Sequence, residues 1–317
     1  MFDWRDYNNG IYAFDAGYVR PILAAIHFVV ENGRVAVIDT GSNDSLPNAL
    51  AALARLGLDE SAVDFVILTH IHLDHAGGAG RMMQAFPNAK LVVHPRGARH
   101  MAEPSKLVEG VSAVYGPEYV KKVYGEILPI PAERIVSAND GLVVSLAGRE
   151  LLCIDTPGHA KHHICIVDAK AKAIFTGDMF GLSYRELDVD GRQFIFPTTT
   201  PTQFDPAEMR QSVARLLSYQ PEAMYLTHYS QVPEVEARAQ DLLRHLDALV
   251  AIGEREKAAG EVRHARIKQA MTDYLLAEIR AHGCTVPEAE LLDIWATDLE
   301  LNSQGLGVWL DQQKVVG

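Results

Sequence analysis

Cysteine is scarce in this chain. Only Cys153, Cys165 and Cys284 occur in 317 residues, an odd number without paired spacing. That excludes a disulfide framework and points to a reducing cytoplasmic setting. Cys153 and Cys165 sit in apolar runs and read as small packing residues. Long apolar runs are missing as well. The best stretches, such as Leu142-Val143-Val144-Ser145-Leu146, are strand-sized and far short of the roughly 20 residues that span a bilayer. Met1-Phe2-Asp3-Trp4-Arg5-Asp6 carries acids early and no apolar core behind a basic start, so neither a secretory signal nor a membrane partner is expected. Positive charge is in deficit: 29 basic residues face 41 acidic ones, for a formal charge of −12. Nucleic-acid phosphates need a basic footprint, so the balance weighs against such a partner and leaves a small-molecule substrate.

What is present is an ordinary folded composition, 48% hydrophobic and 22% charged, long enough for one large domain with a smaller one attached. Residues 11–41 predict strands, with Glu31-Asn32-Gly33-Arg34 as a hairpin turn between Ile26–Val30 and Val35–Ile38. An amphipathic helix over 45–56, a strand over 63–69, a helix over 79–85 and a strand over 91–93 continue the alternation. Residues 96–131 predict a helical insertion broken by Pro104, Pro117, Pro129 and Pro131. Strands return over 142–146, 150–155, 163–168 and 173–176. A long irregular stretch over 182–204 is of the kind that covers sites. A helix over 206–218 and a strand over 223–227 follow. From 234 onwards the pattern is helical, interrupted at Gly260. The expected organisation is therefore a domain over 1–233 and a C-terminal helical domain over 234–317.

The chemistry concentrates at strand ends. Among thirteen histidines, His70 and His72 fall beside Asp74 and His75, directly after the Phe65-Val66-Ile67-Leu68 strand and before Gly77-Gly78. The two glycines let the backbone after the cluster turn sharply. His159 follows Thr156-Pro157-Gly158, Asp178 follows Phe175-Thr176-Gly177, and His228 follows Tyr225-Leu226-Thr227. Sites in open α/β architectures gather beyond strand ends, where distant segments converge. Imidazole mixed with carboxylate suits zinc, iron or manganese. Burying so many polar groups without metal or partners would cost about 1–3 kcal/mol each.

These residues resemble the metal motif of the metallo-β-lactamase superfamily: His-x-His-x-Asp-His at 70–75, then His159, Asp178 and His228. Thr-Pro-Gly-His and Phe-Thr-Gly-Asp are most similar to the glyoxalase II (hydroxyacylglutathione hydrolase) branch. The resemblance covers about residues 11–230. It implies an α/β (α+β) fold, a four-layer αβ/βα sandwich with the C-terminal helical domain as an extension. It also implies two divalent metal ions, zinc first and iron or manganese next. His70, His72 and His159 would hold one ion; Asp74, His75 and His228 would hold the other. Asp178 would bridge both, and Asp39 would buttress the metal loop. Two metals about 3.5–4 Å apart can share a hydroxide and polarise a carbonyl oxygen. Asp74 is a second candidate for handling protons, though a ligated carboxylate is a weak base.

His163 falls at the last histidine of the branch's Gly-His-Thr-x-Gly-His pattern, which implies a supporting role. The chain departs from that pattern with Ala160 and His162 in place of threonine and glycine. His162 reads equally as an extra site residue or a surface histidine. His27, His94, His100, His245, His264 and His282 read as structural or solvent-facing. Tyr184, Phe194, Phe196 and Tyr229 could line a pocket but read first as packing. Lys161, Arg185 and Arg192 could meet an anion but read first as solvated charges.

The expected activity is hydrolysis of an ester-like bond (thioester, lactone or carboxylic ester), by attack of the shared hydroxide. The alternative is a persulfide-dioxygenase-like oxygenase using one iron at His70, His159 and Asp178; the complete second set argues against it. A phosphodiesterase or nuclease is disfavoured by the acidic charge, and a non-catalytic metal-binding module by the intact ligand set. A homodimer is a further expectation.

Overall fold

The computed structural model describes residues 3–316, the last three of these by backbone alone. Met1 and Phe2, part of the stretch read above for a signal, lie outside the described residues. Two compact units emerge. The first comprises Met1–Asp155, His162–Gly177 and Pro221–Gln231, and the second Thr156–Lys161, Asp178–Gln220 and Val232–Gly317.

The first unit is built on two mixed sheets. One contains β1 (Trp4–Asp6), β2 (Ile11–Asp15), β3 (Ala25–Glu31), β4 (Arg34–Ile38), β5 (Val63–Ile67), β6 (Lys90–Val93) and β7 (Ile135–Ser137) in simple order. The other contains β8 (Leu142–Leu146), β9 (Arg149–Asp155), β10 (Ile164–Asp168), β11 (Ala173–Gly177), β12 (Ala223–Leu226) and β13 (Ser230–Val232). The hairpin turn between β3 and β4 has Asn32 at φ 47° and Gly33 at φ 76°. Both central residues are left-handed, the primed turn whose twist matches flanking strands.

From β4 to β7 the strands run parallel. Parallel neighbours need crossovers, supplied by helices. α1 (Leu46–Arg55) precedes β5, and α2 (Leu73–Ala76) with α3 (Ala79–Ala85) precedes β6. The expected insertion forms α4 (Pro95–Ala102), α5 (Ser105–Tyr115) and α6 (Pro117–Tyr124) before β7.

Alternation along the strands assigns their two faces. Val35, Val37, Val66, Leu91 and Val93 pack with Ala52 and Leu53 of α1 and Met82 and Met83 of α3. Ala36, Ile38, Ile67 and Val92, on the opposite face, meet Leu151, Cys153, Ile164, Ile166 and Phe175 of the second sheet. Strands buried on both faces read as continuous apolar runs, which is why the 63–69 segment shows no polar alternation. Each fully buried large side chain here contributes about 1.5–3 kcal/mol.

Polar ties supplement that core. Arg149 of β9, almost fully buried, donates through Nε to Asp168 of β10 at 3.2 Å and through Nη2 to the same carboxylate. Its Nη1 reaches the Asn9 carbonyl at 2.7 Å, in the turn between β1 and β2. One guanidinium thus joins the two sheets.

The second unit contains α7 (Pro206–Ser218), α8 (Val235–Glu256), α9 (Arg263–His282), α10 (Glu288–Ile294) and α11 (Ala296–Val316). The break expected at Gly260 is a 3-10 turn over Gly260–Val262. Ile267, Met271, Leu275 and Ile279 recur every fourth residue and form the buried stripe of α9. In α11 Leu299, Leu306 and Leu310 are buried while Leu301 and Val308 are half-buried, so one face of the helix does the packing. Trp295, between α10 and α11, is fully buried with Phe194 and Phe196 around it. The 182–204 stretch is fastened to α11 by Thr199, whose N–H donates to Asn302 Oδ1 at 2.6 Å. No helix among the described residues is long and apolar enough to cross a membrane.

Replacing Asp168 by Ala removes the carboxylate that takes two of the buried Arg149 guanidinium's hydrogen bonds and leaves Glu31, 3.7 Å away, as the counter-charge. Breaking such a pair costs about 3–5 kcal/mol. Equilibrium urea unfolding should show a loss of that order; a change under about 0.5 kcal/mol, the range of neutral surface substitutions, would refute the role given to Arg149.

Candidate metal centre

The centre is organised by one buried carboxylate. Asp39 directly follows β4 and has a left-handed backbone, φ 58°, a conformation aspartate tolerates better than most residues. Its Oδ1 accepts from the Thr69 N–H at 2.8 Å, and its Oδ2 accepts from the hydroxyls of Thr69 at 2.9 Å and Thr227 at 2.7 Å. Oδ2 also lies 2.7 Å from His75 Nδ1. The ends of β4, β5 and β12 and the short helix α2 are thereby tied to one group. Register supports the arrangement: Ile38 pairs with Ile67 across the parallel β4–β5 ladder, and Gly177 with Leu226 across β11–β12.

The Asp39 contact decides what His75 presents. A carboxylate only accepts, so Nδ1 carries the hydrogen and, in the neutral ring, Nε2 carries the lone pair. His228 is set in the same way, because its Nδ1 donates to the Leu23 carbonyl at 2.7 Å. Both Nε2 atoms converge on Asp74 Oδ2, at 3.6 Å from His75 and 3.2 Å from His228. One ligand atom from each of the three residues lies within 4.8 Å of the others. Two acceptor nitrogens and a carboxylate facing one another repel unless a proton or a cation sits among them. Two imidazoles and one carboxylate fit a divalent ion of the zinc, iron or manganese type.

His70 extends the cluster. The Thr69 hydroxyl spends its hydrogen on Asp39 and accepts from His70 Nδ1 at 3.1 Å. That leaves His70 Nε2 facing His72 Nδ1 at 2.9 Å. His163 is fully buried, its ring stacked behind His70 at 5.0 Å between centroids. His162 meets the His72 ring edge-on at 5.6 Å, and its pKa is pushed down to about 3, first by burial and then by the neighbouring His72. It is therefore a neutral ring at working pH.

The Gly77-Gly78 pair serves close approach. Both have negative φ, −59° and −85°, so the turn after the cluster uses ordinary backbone conformations and what the glycines supply is room. A Cβ on Gly78 would stand 2.4 Å from the Ser42 carbonyl oxygen and 2.7 Å from that of Thr40. Only glycine lets α2 pack against the segment that carries Asp39.

In the second unit His159 and Asp178 are both buried, with His159 Nε2 3.6 Å from Asp178 Oδ2. The turn before His159 is pinned to α7. Gly158 has φ 131° and a Cβ there would collide with the Met209 backbone at 2.4 Å. The Gly158 carbonyl accepts from the Asp205 N–H at 2.8 Å, and the Ser212 hydroxyl donates to the Pro157 carbonyl at 2.6 Å.

The remaining residues behave as packing or surface groups. His27 is buried against Phe175 and Tyr225, and burial lowers its pKa to about 4. His94 accepts from the Arg96 N–H at the start of α4 and lies 3.3 Å from Asp155. His245, also lowered to about 4 mainly by burial, bonds Tyr274. Tyr184, Phe194, Phe196 and Tyr229 are buried, with the Tyr184 hydroxyl donating to Asp298 and that of Tyr229 to Asp3. Arg185 donates to the Ser183 carbonyl and Arg192 to that of His282. All three cysteines are buried and none forms a disulfide.

Sequence reasoning passed over Thr69 and Thr227. A signal was available: Leu-Thr-His occurs twice, at 68–70 and 226–228, so the same hydroxyl precedes a candidate ligand at both strand ends. The Leu23 carbonyl had no comparable signal, because any residue supplies one.

Residues 20–228 match the metallo-beta-lactamase superfamily. The chain belongs to that superfamily. A metallo-beta-lactamase fold-containing protein of Sulfurisphaera tokodaii is 26% identical over 225 residues, 69% of this chain and 78% of that protein. The crystal structure of that archaeal superfamily protein (there given as Sulfolobus tokodaii) superposes with a TM-score of 0.65 at 23% identity, covering 94% of this chain and 98% of the other. A hydroxyacylglutathione hydrolase of Xanthomonas euvesicatoria is 28% identical over 80% of this chain and 75% of its own length. An acyl-coenzyme A thioesterase of Gallus gallus is 29% identical over 49% of this chain, which spans 57% of that enzyme. The superfamily fold is thus the expected α/β sandwich with a C-terminal helical segment, its His/Asp clusters suit divalent metal, and the hydrolase relatives support a metal-dependent hydrolase in general.

Two outcomes test this centre. Asp39→Asn places an amide donor opposite the His75 and Thr227 donors; zinc affinity, read by chelator competition, should fall about 10–100-fold, and an unchanged affinity would remove Asp39 from the account. His162→Ala should leave metal content unchanged, and loss of metal would make His162 a ligand.

Proposed function

We propose that this superfamily member is a dinuclear metal hydrolase acting on an ester-like bond of a small molecule, a thioester before a lactone or a simple carboxylic ester. The observation that carries the proposal is the Asp74–His75–His228 cluster, in which both imidazoles have Nδ1 committed to an oxygen and Nε2 turned to the same carboxylate. In the proposed set these three residues hold one ion. By the superfamily order of the motif, His70, His72 and His159 would hold the other, and Asp178 would be the carboxylate shared by both. Zinc is the first choice of metal, with iron or manganese as the others that such ligands accept. The thioester preference is supported by the relatives named as an acyl-coenzyme A thioesterase and a hydroxyacylglutathione hydrolase.

When bound, such metals supply Lewis acidity towards a carbonyl oxygen and acidify a water to a pKa near about 7. The chain's own residues do the rest. Asp39 holds His75 in the tautomer that presents the Nε2 lone pair toward Asp74, and the Leu23 carbonyl does the same for His228. Thr69 and Thr227 fill the remaining acceptor positions of Asp39, so the carboxylate stays oriented. Asp74, with its side chain 25% exposed, is half-buried like His72, and these two ligands stand where a substrate would approach. His163 backs the His70 ring. A cytoplasmic location is part of the same proposal.

Elemental analysis of the purified full chain should give two zinc-class ions per chain, and the loaded protein should cleave thioesters in preference to phosphodiesters. Asp178→Ala should lose the metal pair and turnover together, whereas normal activity in that variant refutes the bridging role. One iron per chain with oxygen uptake on sulfur substrates would replace the hydrolase by an oxygenase.

A further inference from the structure

Two phenol groups lie beside this cluster and take no part in the ligand set. Tyr18 belongs to the loop between β2 and β3, and Tyr124 is the last residue of α6. Their hydroxyls are 2.6 Å apart and their rings stack at 5.8 Å between centroids. Tyr18 is 9% exposed and Tyr124 3%.

Both are anchored to the segments that shape the metal centre. The Tyr18 loop includes Leu23, whose carbonyl orients His228. The Tyr124 ring lies against Gly77 at the end of α2, where an added Cβ would stand 3.3 Å from its Cδ1. Asn43 holds the adjoining chain by donating to the Tyr124 and Glu126 carbonyls at 2.8 and 2.7 Å.

Among carboxylates, Asp74 alone acts appreciably on these phenols. Burial first, and Asp74 next, hold both far above the ordinary tyrosine pKa. Tyr119 of α6 is raised by the same two causes. The hydroxyls therefore keep their protons at any working pH.

Proton counting then gives the pair a direction. Two hydroxyls own two protons, and their mutual hydrogen bond uses one. Among the described residues neither makes a second hydrogen bond. One O–H is left to donate, in a largely water-excluded place beside the end of α2 and within the field of the ligand carboxylate Asp74. Such fixed donors stabilise negative charge that develops on a substrate oxygen.

We propose that Tyr18 donates this hydrogen bond to the substrate's carbonyl oxygen as it gains negative charge, with Tyr124 donating to Tyr18 and so aiming and polarising it. Tyr18 takes the terminal position because it is the more exposed of the two. Tyr18 is then a catalytic residue and Tyr124 a positioning residue. The assignment rests on the hydrolase reading above, and the two are separable by experiment.

The test uses the zinc-loaded full chain with Tyr18→Phe and Tyr124→Phe, each checked for unchanged zinc content and melting temperature. Two probes are read: turnover of S-(4-nitrophenyl) thioacetate, and the Kd of phenylphosphonate, a tetrahedral anion, by calorimetry. Tyr18→Phe should lower kcat by about 10²–10³-fold, the effect of deleting one such donor, with KM changed less than about twofold. Phenylphosphonate should bind it at least about tenfold more weakly, the factor one lost charge-assisted hydrogen bond of roughly 1.4 kcal/mol represents. Tyr124→Phe should show the same pattern with a smaller loss. Tyr18→Phe with both kcat and phosphonate affinity within twofold of wild type overturns the proposal, as does a wild-type protein that binds no phenylphosphonate. If Tyr18→Phe fails to fold, Tyr124→Phe decides on the same criteria. A wild type that binds the phosphonate through Tyr18 but cleaves no thioester would leave the donor standing and defeat the hydrolase reading.

Discussion

The geometry of the metal centre depends on a single buried carboxylate. Asp39 accepts hydrogen bonds from Thr69, Thr227 and His75, groups from two segments, residues 69–75 and residue 227, that are remote from Asp39 and from each other in the chain. An ionised carboxylate offers about four lone-pair sites, and these donors occupy them. The result is electrostatic as much as geometric: a negative charge with its acceptor sites filled imposes one tautomer on His75 and keeps Nε2 available. Without that constraint the ring could rotate or exchange its proton, and the ligand atom would no longer be defined.

The scaffold around Asp39 exists to bring its donors within reach. Parallel pairing of β4 with β5 places residue 39 beside the end of β5, and Ala25 N–H bonded to the Thr227 carbonyl at 2.8 Å brings the end of β12 to β3. Apolar packing between the sheets supplies the cohesion, and Arg149 adds a polar tie across the same interface. Gly78 then removes the last steric obstacle, since α2 cannot approach the Thr40–Ser42 backbone with a side chain there. Packing, register and one missing methyl group all serve the placement of His75.

The tyrosine pair shows how an insertion can feed into the same centre. The prolines that break up 96–131 produce three short helices, and the last of them ends on Tyr124 beside Gly77. The imidazoles of His75 and His228 turn to Asp74, and the same carboxylate helps keep the two phenols protonated. Acceptors and donors grouped about one half-buried carboxylate match a substrate that must be both polarised and held.

Much of this was readable in one dimension. The Asn32-Gly33 turn, the helix over 79–85 and the strand ends carrying His70–His75, Asp178 and His228 follow from local rules of turn chemistry and periodicity, which act over a few residues and leave their mark in composition. The short strands β1, β7 and β13, of three residues each, escaped, because three residues carry no period. The Gly77-Gly78 pair marked a sharp turn that a side chain would obstruct, but not that the obstruction would be the Thr40 and Ser42 carbonyls, since a sequence shows that a side chain is missing but not what would have met it. The motif residues alone marked out a metal chemistry and the superfamily. Only the tertiary structure decided which nitrogen of each histidine faces inward and that Asp39 orients His75. It alone showed that Tyr18 meets Tyr124 across a separation of 106 positions. Those are properties of hydrogen bonds between segments remote in the chain, whose partners are chosen by packing and leave no local trace in the order of residues.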